Sequence, residues 1–235
     1  VYDANQNLHD IHLINKKTAI AVGNNGIVKS QDSGKNWKII QTPLTEPLIA
    51  VDFSNSGYGL AVGRNGTTLF TNNDGEEWEK GSNTSSSFLR DVTFVTDNIA
   101  YAVGSAGTIL KTVNSGQSWT SQTSNHSGNL SAVNFKDAQK GFAAGGNGAL
   151  LATVNGGTTW DKRKVKTNNG LLSLSFNKDT GTVVGFGGTI ISSKNAGENW
   201  KIESKGEFSH LYDIATLDDK TSILVGDNGT ILKKR

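Results

Sequence analysis

The stretch Ser30–Trp37 reads SQDSGKNW, and its pattern, Ser/Thr-x-Asp/Asn-x-Gly-x-x-Trp, occurs five times in the chain. The copies are Ser30–Trp37, Thr71–Trp78, Thr112–Trp119, Thr153–Trp160 and Ser193–Trp200. Successive tryptophans lie 41, 41, 41 and 40 residues apart. A fixed period near 41 residues indicates a repeat protein in which each unit is one small structural module. We call this eight-residue pattern the turn phrase.

Two further motifs occur six times each. A Gly-x-x-Gly pair stands between short apolar runs, at Gly23/Gly26, Gly63/Gly66, Gly104/Gly107, Gly145/Gly148, Gly185/Gly188 and Gly226/Gly229. A Leu-x-x-Ile/Val/Leu motif opens each unit, at Leu8–Ile11, Leu48–Val51, Leu89–Val92, Leu130–Val133, Leu171–Leu174 and Leu211–Ile214. Two β-rich runs joined by a tight glycine turn are typical of a hairpin. Each unit is therefore predicted to hold four short strands, the last beginning at the tryptophan.

Four antiparallel strands in about 40–45 residues match one blade of a β-propeller. The predicted fold is all-β, a six-bladed propeller forming a single domain over residues 1–235. The predicted blades are about 8–41, 48–82, 89–123, 130–166, 171–204, and 211–235 plus 1–4. The sixth unit stops after its third strand, so Val1–Ala4 are expected to supply the missing strand and leave no open edge.

Composition excludes several classes of function. The chain has no cysteine, which excludes disulfides and thiolate metal sites. Its net charge of +2 is too small to predict nucleic-acid binding, and no apolar run is long enough to span a membrane. The four histidines lack metal-ligand spacing, so no metal or cofactor is predicted. Methionine is absent even at position 1, which predicts a processed or trimmed chain, such as removal of a signal peptide or isolation of one domain would give. We expect a monomer that a bacterium exports to the periplasm, the cell surface or the outside.

The turn phrase is interpreted as a folding device. Its Asp or Asn is expected to accept backbone N–H bonds in the turn between the third and fourth strands, while its tryptophan anchors the turn. The residues in these two roles are Asp32, Asn73, Asn114, Asn155 and Asn195, with Trp37, Trp78, Trp119, Trp160 and Trp200. The rival interpretation is a calcium loop around the acidic Asn72–Glu77, but that stretch lacks the ligand order of an EF-hand.

These motifs resemble a known repeat. The turn phrases look like the Asp-box, or bacterial neuraminidase repeat, of sialidases, sortilin-type receptors and several glycosidases. The fuller unit, from Leu89–Phe94 through Tyr101–Thr112 to Asn114–Trp119, is similar to the photosystem II stability and assembly factor repeat. The resemblance implies a propeller that binds a protein partner. The plant and cyanobacterial assembly factors have seven blades and an arginine-rich patch, whereas this chain has six units and four arginines.

The resemblance leaves an enzyme as the alternative. A glycoside hydrolase or sialidase-like protein would need a pair of spaced carboxyl groups, or three arginines that clamp the carboxylate of the substrate. Arg163 lies at the start of an outer strand and Arg235 is terminal, so a clamp of three arginines is not expected. No catalytic residue is predicted. A non-enzymatic binding or assembly scaffold, with a protein or peptide partner and a glycan as the other possibility, is the favoured function.

The binding site is expected where the repeats differ, because shared residues serve every blade. Connections at the Gly-x-x-Gly turns and at the starts of the first strands are predicted to share the top face of the propeller. The candidate binding residues there are His9, Asp10, Arg64, Arg90, Asp91, Phe186, Tyr212 and Asp213. The three acids are expected at the mouth of the central channel. The basic run Lys162–Lys166 on an outer strand is the second candidate, although lysines there also serve to block edge pairing.

Overall fold

The computed structural model describes residues 7–204, 209–217 and 221–234. Its contacts divide into two compact units, Val1–Gln122 and Thr123–Arg235. Within the described ranges every sheet is an antiparallel meander, in which each strand pairs with the next strand in the chain. Sequential pairing through short turns is the topology that the repeated hairpin motifs predict.

Unit 1 contains three sheets of four strands each among its described residues. Sheet 1 comprises β1 (Leu8–Leu13), β2 (Ala19–Gly23), β3 (Gly26–Ser30) and β4 (Lys38–Ile40). Sheet 2 comprises β5 (Leu48–Phe53), β6 (Gly59–Gly63), β7 (Thr68–Thr71) and β8 (Glu79–Lys80). Sheet 3 comprises β9 (Leu89–Phe94), β10 (Ala100–Gly104), β11 (Ile109–Thr112) and β12 (Thr120–Gln122).

Unit 2 repeats this plan, with two four-stranded sheets and one of three strands in the described part. Sheet 4 comprises β13 (Leu130–Phe135), β14 (Gly141–Gly145), β15 (Ala149–Thr153) and β16 (Asp161–Lys162). Sheet 5 comprises β17 (Leu171–Asn177), β18 (Thr180–Gly185), β19 (Thr189–Ser193) and β20 (Lys201–Ile202). Sheet 6 comprises β21 (Leu211–Thr216), β22 (Ser222–Gly226) and β23 (Ile231–Lys234). Single 3-10 turns follow the second strand in sheets 2 to 6, at Arg64–Gly66, Ser105–Gly107, Gly146–Gly148, Phe186–Gly188 and Asp227–Gly229.

The hydrophobic core consists of layers between neighbouring sheets. Between sheets 1 and 2, Ile20 and Val22 of β2 pack against Val51 and Phe53 of β5 and against Trp78. Similar clusters lie between sheets 2 and 3 in unit 1, and between sheets 4 and 5 and sheets 5 and 6 in unit 2. The second strands of sheets 1 to 4 are buried along their whole length. A modest hydrophobic content suffices because each sheet shares its apolar faces with its neighbours.

The first glycine of each Gly-x-x-Gly motif allows the first strand to approach closely. A Cβ atom on Gly23 would lie 2.2 Å from the carbonyl oxygen of Asn7, just before the first leucine motif. The equivalent distances in the other five sheets are 2.0 to 2.3 Å. Any side chain there would collide with rigid backbone, so the same glycine occurs in all six repeats.

The turn phrase is held by hydrogen bonds within itself and by contact with the preceding sheet. In sheet 3, the Thr112 hydroxyl donates to Asn114 Oδ1 at 2.9 Å and accepts the Gly116 N–H at 3.0 Å. Asn114 Oδ1 also accepts the backbone N–H of Ser118 at 3.0 Å. The Asp or Asn of the other four phrases likewise accepts the N–H of the residue four positions later. Gly116 in turn lies against Leu60 of β6.

The prediction of an all-β chain built from repeated antiparallel sheets is confirmed in the described residues. Sheet 6 has three described strands, and its third, β23, ends at Lys234. The predicted fourth strand, Val1–Ala4, lies outside the described residues. The number of blades and their closure by the N-terminus therefore stay predictions.

Two glycines with positive φ in equivalent positions provide a matched test of contact between sheets. Gly116 (φ +91°) and Gly34 (φ +82°) both strain any other residue, but only at Gly116 would a Cβ meet a neighbouring sheet, 2.1 Å from Leu60 Cδ2. Gly34→Ala should lower the free energy of unfolding by about 1 kcal/mol through backbone strain alone. Gly116→Ala should lower it by a further 1–3 kcal/mol, roughly, through overpacking. Urea denaturation of both variants measures the difference, and equal losses would show that the phrase does not depend on the preceding sheet.

Candidate functional site

In unit 1, two predicted site residues lie together on one aromatic ring. Arg64 begins the 3-10 turn after β6, and Arg90 is the second residue of β9. Their guanidinium carbons lie 5.5 Å and 4.6 Å from the centre of the Phe88 ring. Contacts of this kind between a guanidinium and a ring hold the side chain by cation–π attraction. We call Arg64, Phe88 and Arg90 the arginine cluster.

The arginine cluster presents hydrogen-bond donors in a fixed arrangement. Arg64 is exposed, whereas Arg90 and Phe88 are half-buried. The Nε of Arg90 is buried and has no hydrogen-bond partner among the described residues. A guanidinium offers five N–H donors and no acceptor, and its planar fork matches a carboxylate. Two such groups on one ring have the chemistry to bind an anionic group such as a carboxylate.

In unit 2, the predicted Phe186 and Tyr212 belong to a second cluster, with His210 between them. The ring centres of Phe186 and His210 are 4.9 Å apart, and those of His210 and Tyr212 are 6.4 Å apart. Phe186 is 42% exposed and Tyr212 is 48% exposed. The Tyr212 hydroxyl donates to Asp227 Oδ1 at 2.5 Å. We call Phe186, His210, Tyr212 and Asp227 the aromatic cluster.

The aromatic cluster is positioned by the turn after β18 and by the start of β21. The backbone N–H of Gly187 donates to His210 Nδ1 at 3.0 Å. This bond leaves the His210 Nε2 as the ring nitrogen that carries the proton in the neutral form. The backbone N–H of Asp227 donates to the carbonyl oxygen of His210 at 2.9 Å, which fixes the carboxylate beside the rings. The cluster thus combines apolar ring faces with one carboxylate and one imidazole.

The hydrogen bond to Asp227 changes the acidity of Tyr212. Donation to a carboxylate stabilises the neutral phenol, and this bond, with smaller effects of burial and of the negative charge, raises the pKa of Tyr212. Tyr101 differs, because burial alone raises its pKa to about 12. Tyr212 therefore remains a neutral hydrogen-bonding group through the physiological range.

The predicted acids accept hydrogen bonds from strand residues, and two of them, Asp10 and Asp213, bond to a neighbouring sheet. Asp10 Oδ1 accepts the N–H of Ile11, and its Oδ2 accepts the N–H of Val51 in sheet 2, both at 2.8 Å. Asp91 Oδ1 accepts the N–H of Val92 at 2.8 Å. Asp213 Oδ1 accepts the Ser173 hydroxyl at 2.7 Å, which joins sheet 6 to sheet 5. The contacts of Asp10 and Asp213 join neighbouring sheets, whereas that of Asp91 lies within β9. All three carboxylates therefore offer less capacity for a ligand than the sequence suggested.

The hydrogen bond of His9 is to a residue of neither cluster. Its Nε2 is 2.8 Å from the side-chain oxygen of Asn24, in the first Gly-x-x-Gly turn. The described residues contain no group of three or more His, Asp or Glu side chains arranged to hold a metal ion. Nor does any helix in that part of the chain have the length and apolar character needed to cross a membrane.

Sequence reasoning missed Phe88 and His210, although a signal for both was present. Each stands immediately before the leucine motif, and each backbone carbonyl accepts an N–H from its own Gly-x-x-Gly turn. The six residues at this position are Asn7, Pro47, Phe88, Asn129, Gly170 and His210. The shared hydrogen bond fixes the backbone while the side chain varies. This position therefore differs between repeats, as the other predicted site residues do.

Comparison with known proteins identifies a family. The family model described as Photosynthesis system II assembly factor YCF48 matches residues 74–154 and 113–235. The structure of YCF48 bound to D1 peptide is similar, with a TM-score of 0.62 and 16% identity over 99% of this chain and 94% of that chain. YCF48 from Cyanidioschyzon merolae has a TM-score of 0.62 and 16% identity, covering 100% of this chain and 97% of the other.

A similar fold also occurs in an enzyme. An ancestral GH74 enzyme has a TM-score of 0.78 and 13% identity, and the match covers 96% of this chain but only 36% of the enzyme chain. At this identity the likeness concerns the fold alone, which many unrelated functions share. No curated protein matches the chain significantly.

Removing the Asp10 carboxylate should destabilise the protein. In Asp10→Ala the amide of Val51 loses its acceptor, and an unsatisfied buried donor costs about 1–3 kcal/mol. The control Asp161→Ala removes an exposed carboxylate and should change the free energy of unfolding by less than about 0.5 kcal/mol. Urea denaturation compares the two, and a loss at Asp10 no larger than the control would contradict a structural role.

Removing the Asp227 charge should make Tyr212 more acidic. In Asp227→Asn the phenol no longer donates to a carboxylate, so the pKa of Tyr212 should fall toward its ordinary value of about 10. Carbon NMR of the Tyr212 ring across an alkaline pH series measures this pKa. Tyr101, whose pKa is raised by burial and not by Asp227, should be unaffected by the substitution. An unchanged pKa of Tyr212 would contradict the hydrogen bond.

Proposed function

Because this chain belongs to the family of the photosynthesis system II assembly factor YCF48, we propose that it is a non-enzymatic scaffold that binds a segment of a partner protein. The observation that carries the proposal is the arginine cluster, in which two guanidiniums flank Phe88 and one buried Nε has no partner among the described residues. Arginine and aromatic side chains dominate the binding energy of protein interfaces. One similar structure is that of YCF48 bound to D1 peptide, which supports a peptide as the ligand class.

The two clusters would recognise different parts of a polypeptide. The arginine cluster suits a side-chain or terminal carboxylate, since bidentate bonds from guanidinium to carboxylate are short and strong. The aromatic cluster offers Phe186 and Tyr212 as apolar contacts, with Asp227 as an acceptor for N–H groups. Both clusters arise at the same repeat position, between a Gly-x-x-Gly turn and the following leucine motif. Propeller loops at equivalent positions are where specificity varies without a change of fold.

The alternative function, a glycoside hydrolase or sialidase-like enzyme, has less support. A glycosidase acid must stay protonated at working pH, which requires a raised pKa. Hydrogen bonds from the Ser56 and Ser54 hydroxyls lower the pKa of Asp97, and the pKa values of Asp32, Asp137 and Glu203 are also lowered, opposite to the direction that a glycosidase acid needs. The similar GH74 enzyme is much longer than this chain. A glycan remains the second ligand class, because exposed Phe186 and Tyr212 rings suit sugar faces.

We also propose how the sheets are arranged and how their ring closes. The six repeats and the three-stranded sheet 6 support a six-bladed propeller in one domain, closed when Val1–Ala4 complete the last blade. We propose a monomer, which light scattering would report as a single species near 24.9 kDa. The family membership supports an exported bacterial protein, and we propose that localisation for this chain.

Loss of both arginines should weaken partner binding without unfolding the protein. The partner is first captured from cells of the source organism on the immobilised chain, identified by mass spectrometry and purified. Arg64→Ala/Arg90→Ala should then reduce its affinity at least about tenfold, since truncation of an interface anchor costs about 2 kcal/mol or more. Biolayer interferometry measures the affinity, and urea denaturation checks the fold.

The control Lys16→Ala/Lys17→Ala removes the same charge from exposed sites in sheet 1 and should leave the affinity within about twofold. Unchanged affinity of the arginine variant, with the fold intact, would place the site elsewhere. Binding to a glycan array with no protein partner captured would favour the carbohydrate alternative.

A further inference from the structure

A groove of about 670 Å³ runs along the outer edge of sheet 4 in unit 2. One wall is formed by β16 and the segment that follows it, from Lys162 to Asn168. Sheet 5 contributes Ile191, Trp200 and Ile202, which with Val165 give the groove an apolar floor. This place is separate from the arginine and aromatic clusters, none of whose residues lines it.

The charge in the groove has one sign. Five cations line it, namely Lys162, Arg163, Lys164, Lys166 and Lys201, and no acidic residue does. None of the five forms an ion pair within the part of the chain that the structure describes. The whole chain has a net charge of only +2, so this is a local concentration rather than a general basic character. Together with burial, the charge of Lys162 lowers the pKa of the nearby His126.

The edge of sheet 4 offers backbone groups to an added strand. The N–H of Arg163 donates to the carbonyl oxygen of Leu150 at 2.7 Å, so the backbone of Arg163 faces β15. In an antiparallel ladder, the backbone N–H and C=O groups of successive residues point to opposite edges of the strand. The N–H and C=O of Lys162 therefore point away from β15, toward the open edge. An extended peptide can pair with such an edge by β-strand addition.

Lysines on an edge strand also discourage pairing between copies of a protein. These lysines act against pairing with a neutral or basic strand, but they attract an acidic strand. A purely protective role does not require the apolar floor of Val165, Trp200 and Ile202. In a strand, alternate side chains point to opposite faces, so a segment with acidic residues on one face and apolar residues on the other would match both features.

We propose that this groove binds an extended acidic segment of a partner polypeptide, which pairs with the edge of β16. Its carboxylates would face the five cations, and its apolar residues would cover Val165, Trp200 and Ile202. A peptide can pair with the backbone of β16 and a nucleic acid cannot, so a nucleic acid is the less suitable polyanion. The scaffold would then have a second binding surface, independent of the arginine cluster.

The test uses a fluorescein-labelled peptide of about eight residues in which glutamate alternates with valine or leucine. Fluorescence anisotropy measures its affinity for the intact chain at low salt. Lys162→Glu/Lys164→Glu/Lys166→Glu should weaken binding at least about tenfold, because three attractions become repulsions. The matched control Lys16→Glu/Lys17→Glu/Lys35→Glu reverses three exposed lysines of unit 1 and should weaken binding by less than about threefold. Arg64→Ala/Arg90→Ala should bind this peptide like the unchanged chain, even if it fails with its own partner.

Two further probes separate edge pairing from simple charge. A peptide with the same sequence but N-methylated alternate amides cannot pair with β16 and should bind at least about tenfold more weakly. In nitrogen–proton NMR spectra, the unmodified peptide should shift the indole signal of Trp200 but not that of Trp37. Equal weakening in both triple variants would overturn the proposal, as would equal binding of the methylated peptide. Tighter binding of a single-stranded oligodeoxynucleotide, lost in the Lys162 triple variant, would replace the peptide by a nucleic acid.

Discussion

The rest of the structure depends on one contact, in which the turn phrase of a repeat packs against the second strand of the preceding sheet. Gly75 lies against Ile20, Gly116 against Leu60 and Gly197 against Phe142, and each of these glycines has a positive φ. A turn that is both sharply bent and pressed against a neighbour allows no side chain. The hydroxyl and the Asp or Asn of the phrase then satisfy the backbone N–H groups that the bend exposes.

This constraint separates structural from variable positions. The glycines, the turn-phrase polar residues and the leucines meet requirements that every unit has, so they vary little within the chain. The middle residues of the Gly-x-x-Gly turns and the residue before each leucine motif meet only a backbone requirement. Their side chains therefore vary from one repeat to the next. The arginine cluster and the aromatic cluster both form there, one in each compact unit.

Much of the fold was predictable because its signals are local and repeated. The turn phrase predicted that the Asn114 side chain accepts the backbone N–H of Ser118, and the Gly-x-x-Gly motif predicted the hairpins. The position of Ala106 at φ +54° was not predictable from its residue type, since alanine rarely adopts that conformation. The tight turn imposes it, since the N–H of Gly104 donates to the carbonyl oxygen of Thr108 and the N–H of Thr108 donates to that of Ser105. For the site, Arg64 and Arg90 were identified by their position in the repeat, but Phe88 was missed because its side chain becomes important only when a neighbouring sheet supplies Arg64.

The bond from the Val51 amide to Asp10 has a consequence for hydrogen exchange. β5 pairs with one strand of its own sheet, β6, so the N–H of Val51 is protected by a carboxylate of the neighbouring sheet instead of by a ladder. The amide of Phe94 is held in the same way by Asp52. Deuterium uptake at these two amides reports the separation of one sheet from the next, whereas uptake at the second strands reports the unfolding of a sheet itself. Exchange at these amides thus distinguishes the separation of neighbouring sheets from the unfolding of a single sheet.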